Sequence, residues 1–218
     1  MKPSRKRRER QARFADVDLY PVTCAALSNG RGNLAVLEAV IAGGAKIIQL
    51  REKELAARAF YEQAVRFREI TRAAGVLLFI NDYLDGALAV DADGVHLGQD
   101  DLPLDAARRI APDLLIGIST ETVEQAVSAC AGDADYINIG PIFATGTKQI
   151  TRALGPQAIR EIAPRISIPF TVIGGINEAT LDEVLAAGAR KIAVVTAVTQ
   201  APDMAAAVRR LRQRIRAA

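Results

Sequence analysis

From about residue 18 to its end, the chain alternates short β-rich apolar blocks with longer amphipathic stretches, eight of each in strict order. This alternation limits the possible folds more than any other feature of the sequence. The blocks span residues 18–23, 46–51, 77–81, 94–97, 114–119, 136–140, 170–173 and 191–195, and we read them as strands. Helices are predicted over 33–42, 56–74, 83–90, 103–110, 122–131, 155–163, 178–187 and 202–216. Strand followed by helix, repeated, implies right-handed crossovers and a parallel sheet. The runs KIIQL, VLLFI, LLIGI and KIAVV are largely apolar blocks, as expected of strands buried on both faces. Eight such units point to a closed barrel rather than an open doubly wound sheet: an α/β fold, a single (β/α)8 TIM barrel. A length of 218 residues suits that architecture.

Composition narrows the reading further. Half the residues are apolar but only 5% are aromatic, so Ala, Val, Leu and Ile must fill the interior. No apolar run approaches the ~20 residues needed to span a bilayer. The basic N-terminus is not followed by the apolar segment of a secretory signal. Two cysteines, Cys24 and Cys130, make no disulfide framework; both are expected to be small buried hydrophobes in a cytoplasmic protein. The sequence pI near 9.0 suggests nucleic acid, but the charge is unevenly spread. Residues 1–13 carry seven positive charges and one negative, a local +6, which leaves −3 of the formal +3 for the rest. Residues 1–14 are therefore expected to be a basic, disordered extension on a catalytic domain of residues 15–218. No nucleic-acid motif occurs, so neither nucleic acid nor membrane is an expected partner. The Ala-rich helical exterior is compatible with a homo-oligomer, whose interface the sequence does not locate.

In a barrel of this kind, functional side chains gather at the carboxyl ends of the strands. Polar residues do follow each apolar block. Alternation along Gln49-Leu50-Arg51-Glu52-Lys53 points Gln49, Arg51 and Lys53 the same way, into the barrel mouth. Two cations there suit a polyanion, with Lys148 arriving from the long 141–154 loop. Asp82 and Asp101 end neighbouring strands and could together bind Mg2+, with Asp100 competing for the second role and a helix cap the simpler account of either alone. Gly174-Gly175 and Val195-Thr196 follow the last two strands, where backbone N–H groups often hold a phosphate. The single histidine, His96, has no partner identifiable from sequence, which favours a structural role over a general base. Neither cysteine nor any serine has a recognisable base beside it, so nucleophilic catalysis lacks support.

QLREK (49–53), ND (81–82), DGVHLGQDD (93–101), GIS (117–119), GPIFATGTK (140–148) and IGGI (173–176) stand in the order seen in thiamine phosphate synthases, and the chain resembles that family across about residues 18–200. The resemblance implies a transferase of thiamine biosynthesis. Its substrates would be small molecules: the enzyme would join a hydroxymethylpyrimidine diphosphate to a thiazole phosphate, releasing diphosphate. Gln49, Leu50, Arg51, Glu52, Lys53, Asn81, Ser119 and Lys148 would hold the pyrimidine diphosphate, with Arg51, Lys53, Ser119 and Lys148 as the catalytic groups. Asp82 and Asp101 would bind Mg2+, the implied cofactor. Thr145, Gly146, Thr147, Gly175, Val195 and Thr196 would cradle the thiazole and its phosphate.

The chain departs from the family pattern at three points. Tyr83 stands where the family commonly has Arg, Glu121 replaces a His two residues after the GxS serine, and Thr23-Cys24-Ala25 replaces an Asp-containing turn. Two other readings belong beside this one: a thiazole tautomerase on the same barrel, and a non-catalytic ligand sensor with residues 1–13 as a nucleic-acid arm. An unrelated phosphate-binding barrel enzyme is a third.

Overall fold

The structure, a computed structural model, describes residues 3–146 and 153–218. Eight strands form one parallel sheet: β1 (Leu19–Pro21), β2 (Ile47–Leu50), β3 (Leu77–Asn81), β4 (Gly94–Leu97), β5 (Leu115–Thr120), β6 (Tyr136–Ile139), β7 (Phe170–Val172) and β8 (Ile192–Val194). Their order is β1-β8-β7-β6-β5-β4-β3-β2. A parallel bridge between Val22 and Gln49 closes the remaining seam, with Thr23 N–H donating to Gln49 O at 3.0 Å. The chain is thus a (β/α)8 barrel. Around it lie α2 (Asn33–Ala42), α3 (Ala57–Ala74), α4 (Leu84–Ala89), α5 (Leu104–Ile110), α6 (Val123–Ala131), α7 (Gln157–Ile162), α8 (Leu181–Ala186), the short α9 (Thr196–Thr199) and α10 (Met204–Ala217), with α1 (Arg5–Ala15) preceding them all. Each predicted strand and helix has a counterpart, shorter by one to three residues at some ends. No helix among the described residues is long and apolar enough to cross a membrane.

Alternation sorts the strands into two layers. Ile48, Leu50, Leu78, Ile80, Val95, Leu97, Ile116 and Ile118 face outward into one apolar layer beneath the helices. Their neighbours Ile47, Leu77, Phe79, Leu115, Tyr136 and Tyr20 face inward and fill the barrel. Glycine makes room for the large rings. A Cβ on Gly94 would lie 2.3 Å from the Phe79 ring, and one on Gly117 would lie 2.0 Å from the Tyr136 ring. Four of the ten aromatics, Phe14, Tyr20, Phe79 and Tyr136, pack together in the bore and fill it. Cys24 is buried as expected, whereas Cys130 is partly exposed, with its Sγ 3.4 Å from Ser167 Oγ.

The N-terminal segment differs from expectation. Instead of a disordered tail, residues 5–15 form α1, capped by Ser4, whose Oγ accepts from Arg7 N–H at 3.1 Å. It lies against the amino-terminal end of the barrel, opposite the mouth. Phe14 inserts its ring 4.7 Å from Tyr136 and 6.0 Å from Phe79, centroid to centroid. Five of the six cations among residues 3–13 pair with a carboxylate, and of these Arg7 and Arg10 are buried. Arg7, only 4% exposed, forks onto Asp135 (2.8 Å) and Asp133 (2.8 Å), and Arg10 reaches Asp91 (3.1 Å) and Asp93 (3.5 Å). Asp93 and Asp135 occupy equivalent positions, each just before a strand. Asp93 accepts Leu78 N–H at 3.0 Å, and Asp135 accepts Ile116 N–H at 2.8 Å. The basic run is a complement to four aspartates of the barrel floor.

This arrangement fixes the sign of an acid response. Hydrogen bonding from Arg7 holds the Asp133 carboxyl below the usual carboxylate range. A depressed folded-state pKa contributes stability above the unfolded value of ~3.9, and that contribution disappears as pH falls through the folded value. Thermal unfolding should therefore be nearly pH-independent between about pH 7 and 5 and fall steeply below about pH 4. A melting temperature that drops equally across the upper interval would contradict this account of the floor.

Candidate active site

At the opposite end, the inward positions become polar. Gln49, Arg51, Asn81, His96, Ser119, Asn138 and Thr171 line one cavity at the mouth, floored by Tyr20 and Tyr136. Of the expected site residues, Gln49, Arg51, Asn81, Ser119, Thr145, Gly175, Val195 and Thr196 all lie on this cavity. Arg51 N–H donates to Thr23 Oγ1 at 2.9 Å, which ties the end of β2 to the end of β1.

Lys53 extends toward the next strand end, where its Nζ pairs with Asp82 Oδ2 at 3.1 Å. Asp82 takes a left-handed backbone (φ 62°) and donates its N–H to His96 O at 2.9 Å. Its carboxylate lies within hydrogen-bonding reach of Asp101, not of the exposed Asp100. Burial pushes the Asp82 carboxyl above the usual carboxylate range; Asp101 adds to this, against the pull of Lys53. Asp101 is held by Gly98 N–H, which donates to its Oδ2 at 2.6 Å. Two crowded, partly desolvated carboxylates fit a hard divalent cation, whose charge would relieve their repulsion. No cluster of three or more His, Cys, Asp or Glu side chains that could hold a metal occurs among the described residues.

The far wall is made by two loops in contact. Phe143 N–H donates to Gly174 O at 2.9 Å, and Ile142 N–H to Ile173 O at 2.8 Å. Gly175 (φ 64°) has no room for a side chain, since a Cβ would sit 2.5 Å from Ala144 O. Gly146 is open to solvent-side space, with nothing within 4 Å of a Cβ position. Thr147 and Lys148 lie outside the described residues.

Two expected contacts take a different form. The Leu50 side chain is fully buried in the layer beneath the helices and faces away from the mouth, because it alternates with Gln49 and Arg51. Only its backbone is available to a ligand. Glu52 accepts from Ala25 N–H (3.1 Å) and Asn33 Nδ2 (2.8 Å), so it braces the first loop. Sequence reasoning missed Tyr20, Tyr136, Asn138 and Thr171 as cavity residues. The alternation within their strands would have found them, since each stands at an inward position. Glu121 also lines the cavity.

His96 is partnered on both ring nitrogens. Its Nδ1 lies 2.9 Å from Tyr136 Oη and its Nε2 lies 2.9 Å from Ser119 Oγ. Tyr136 Oη is 3.1 Å from Tyr20 Oη, which accepts from Gln49 Nε2 at 3.0 Å. Burial pushes both tyrosine hydroxyls above the ordinary phenol range.

Comparison with known proteins gives a consistent result. Residues 19–198 match the family described as thiamine monophosphate synthase. The chain is 50% identical over 202 residues to a thiamine-phosphate synthase of Chloroflexus aurantiacus, covering 92% of this chain and 94% of that one. It is 46% identical over 208 residues to the thiamine-phosphate synthase of Pelotomaculum thermopropionicum, covering 94% and 95%. The solved structure of thiamine phosphate pyrophosphorylase from Pyrococcus furiosus superimposes with a TM-score of 0.86 at 38% identity, covering 92% of this chain and 96% of that one.

Proposed function

The chain belongs to the thiamine monophosphate synthase family, transferases of thiamine biosynthesis, and from that premise we propose that it couples a hydroxymethylpyrimidine diphosphate to a thiazole phosphate at the barrel mouth. The observation that carries this reading is the sharing of one mouth by Arg51, Ser119 and Asn81 with the adjoining Lys53–Asp82–Asp101 cluster. Such a set suits a diphosphate leaving group and offers no nucleophile of its own. Arg51 forks onto the diphosphate oxygens, and Lys53 supplies a point charge beside them. In this reading Lys148, which lies outside the described residues, supplies a third cation. Gln49 and Asn81 orient the pyrimidine end.

Asp82 and Asp101 would hold Mg2+, which when bound supplies Lewis-acid charge neutralisation to the departing diphosphate. The displacement is dissociative: the C–O bond to diphosphate breaks first, and the thiazole nitrogen then attacks the pyrimidine-methyl cation. The protein's contribution is to stabilise the leaving charge and keep the two reactants in line. Thr145, Gly146, Thr147 and the backbone of Gly175, Val195 and Thr196 hold the thiazole phosphate. Isomerisation of the thiazole alone releases no diphosphate and would leave the Lys53–Asp82–Asp101 cluster without a task.

The test is direct. Purified chain, both substrates and Mg2+ should give thiamine phosphate, followed as its oxidised fluorescent derivative, and EDTA should abolish the signal. Folded protein that yields no product under these conditions would overturn the reading.

A further inference from the structure

Below the mouth, the barrel interior holds a continuous line of polar groups that diphosphate binding does not by itself require. It runs from Gln49 through Tyr20, Tyr136 and His96 to Ser119, with each link between 2.9 and 3.1 Å. Counting protons gives the line a direction. Each phenol has one proton to donate. Tyr20 Oη accepts from the Gln49 amide, which leaves its own proton available to Tyr136 Oη at 3.1 Å. The Tyr136 proton is then directed at His96 Nδ1. A neutral imidazole that accepts at Nδ1 carries its proton on Nε2, and that proton faces Ser119 Oγ. A serine oxygen that accepts from His96 keeps its own proton to give elsewhere. Gln99 Nε2 donates to Ser119 O at 2.6 Å and fixes the same residue from its backbone side.

We propose that His96, the only histidine in the chain, is a positioning residue: held by Tyr136 as the Nε2–H tautomer, it turns the Ser119 hydroxyl outward as a donor to an anionic oxygen of the bound diphosphate. The ligand named here rests on the functional reading above; the direction of the line does not. The alternative polarity would spend the Ser119 proton on Nε2 and present only lone pairs to an anion, a repulsive arrangement. Burial keeps Tyr20 and Tyr136 protonated, so no ionised phenol interrupts the line. A largely buried run of hydrogen bonds also polarises its members in one sense, which strengthens the last donor. His96 thus acts through Ser119 and does not touch the reacting atoms.

The experiment uses the full chain labelled with 15N-histidine. With one histidine, the spectrum contains a single pair of ring nitrogens, and their shifts report the tautomer without any variant. At neutral pH the expected result is a pyrrole-like Nε2 and a pyridine-like Nδ1. In folded Tyr136→Phe this preference should weaken, because Nδ1 loses its donor. A wild-type Nδ1–H tautomer, or an imidazolium, overturns the proposal even if the enzyme is fully active. Kinetics supply the second readout. Ser119→Ala and His96→Ala should each lower kcat by about 10- to 100-fold, with the KM for thiazole phosphate unchanged. The double variant should lose little more than either single one, and His96→Gln, which restores a donor near Nε2, should recover part of the loss. Additive losses would mean that His96 does not work through Ser119. A wild-type chain with no coupling activity would remove the functional reading and the named ligand, while the tautomer would still decide the direction of the line.

Discussion

Phe14→Ala is expected to destabilise the fold by about 3–5 kcal/mol, the cost of truncating a buried phenylalanine in a site that cannot collapse. Phe14 is 2% exposed and closes the amino-terminal end of the bore against Phe79 and Tyr136. Both neighbours sit on strands whose positions are fixed by the barrel, so a void would persist there. Lys191 lies 5.6 Å from the ring centroid and donates its Nζ to Phe14 O at 3.2 Å, and it would lose the aromatic face as well. For a chain of this size the change corresponds to a melting temperature lower by roughly 6–20 °C, readable by calorimetry. Arg7→Ala should cost less, because Asp135 keeps Arg108 at 2.6 Å. If Phe14→Ala melts with the parent chain, α1 does not plug the barrel in solution. The packing then carries none of the stability assigned to it.

The difference between α1 and the barrel strands explains what could be read in the sequence. A strand buried on both faces announces itself locally, through runs such as Leu77–Asn81 that have no polar interruption until their carboxyl end. The same alternation located the mouth, since Gln49 and Arg51 stand two residues apart on β2 and its extension. The segment RKRRERQARFA carries no such signal. Its helix forms because Arg7 meets Asp135 across 128 residues of sequence and Arg13 meets Asp93 across 80, and no local pattern encodes those meetings. In isolation it is a charge run with one aromatic near its end, which is why it reads as a solvated tail. The line through His96 was hidden for the same reason: Tyr20 and Tyr136 lie 116 residues apart, and each alone looks like a core aromatic. Leu50 shows that a motif and a strand period carry different information. A motif assigned it to the ligand as one of five consecutive residues, whereas the strand's two-residue period turns its side chain into the outer layer.

Asp82→Asn should separate activity from stability more sharply than any other single change. Turnover is expected to fall by about 100- to 1,000-fold, the scale of the several kcal/mol that a positioned divalent cation contributes to a departing phosphate. The fold should not weaken. Burial and Asp101 raise the Asp82 carboxyl above its ordinary range, so at neutral pH the ionised form is less favourable in the folded chain than in the unfolded one. Removing that charge relieves the cost, and the loss of the half-exposed Lys53 partner offsets only part of it. The backbone also accepts the substitution. Asp82 has a φ of 62°, a left-handed conformation that asparagine adopts more readily than other residues with a side chain. The melting temperature of metal-free Asp82→Asn should therefore equal or exceed that of the parent chain measured in EDTA. Added Mg2+ should raise the parent's melting temperature and leave the variant's unchanged. A variant that melts markedly lower would make Asp82 a structural residue, and its lost turnover would then say nothing about a metal. Full turnover in a folded variant would move the cation away from the Asp82–Asp101 pair altogether.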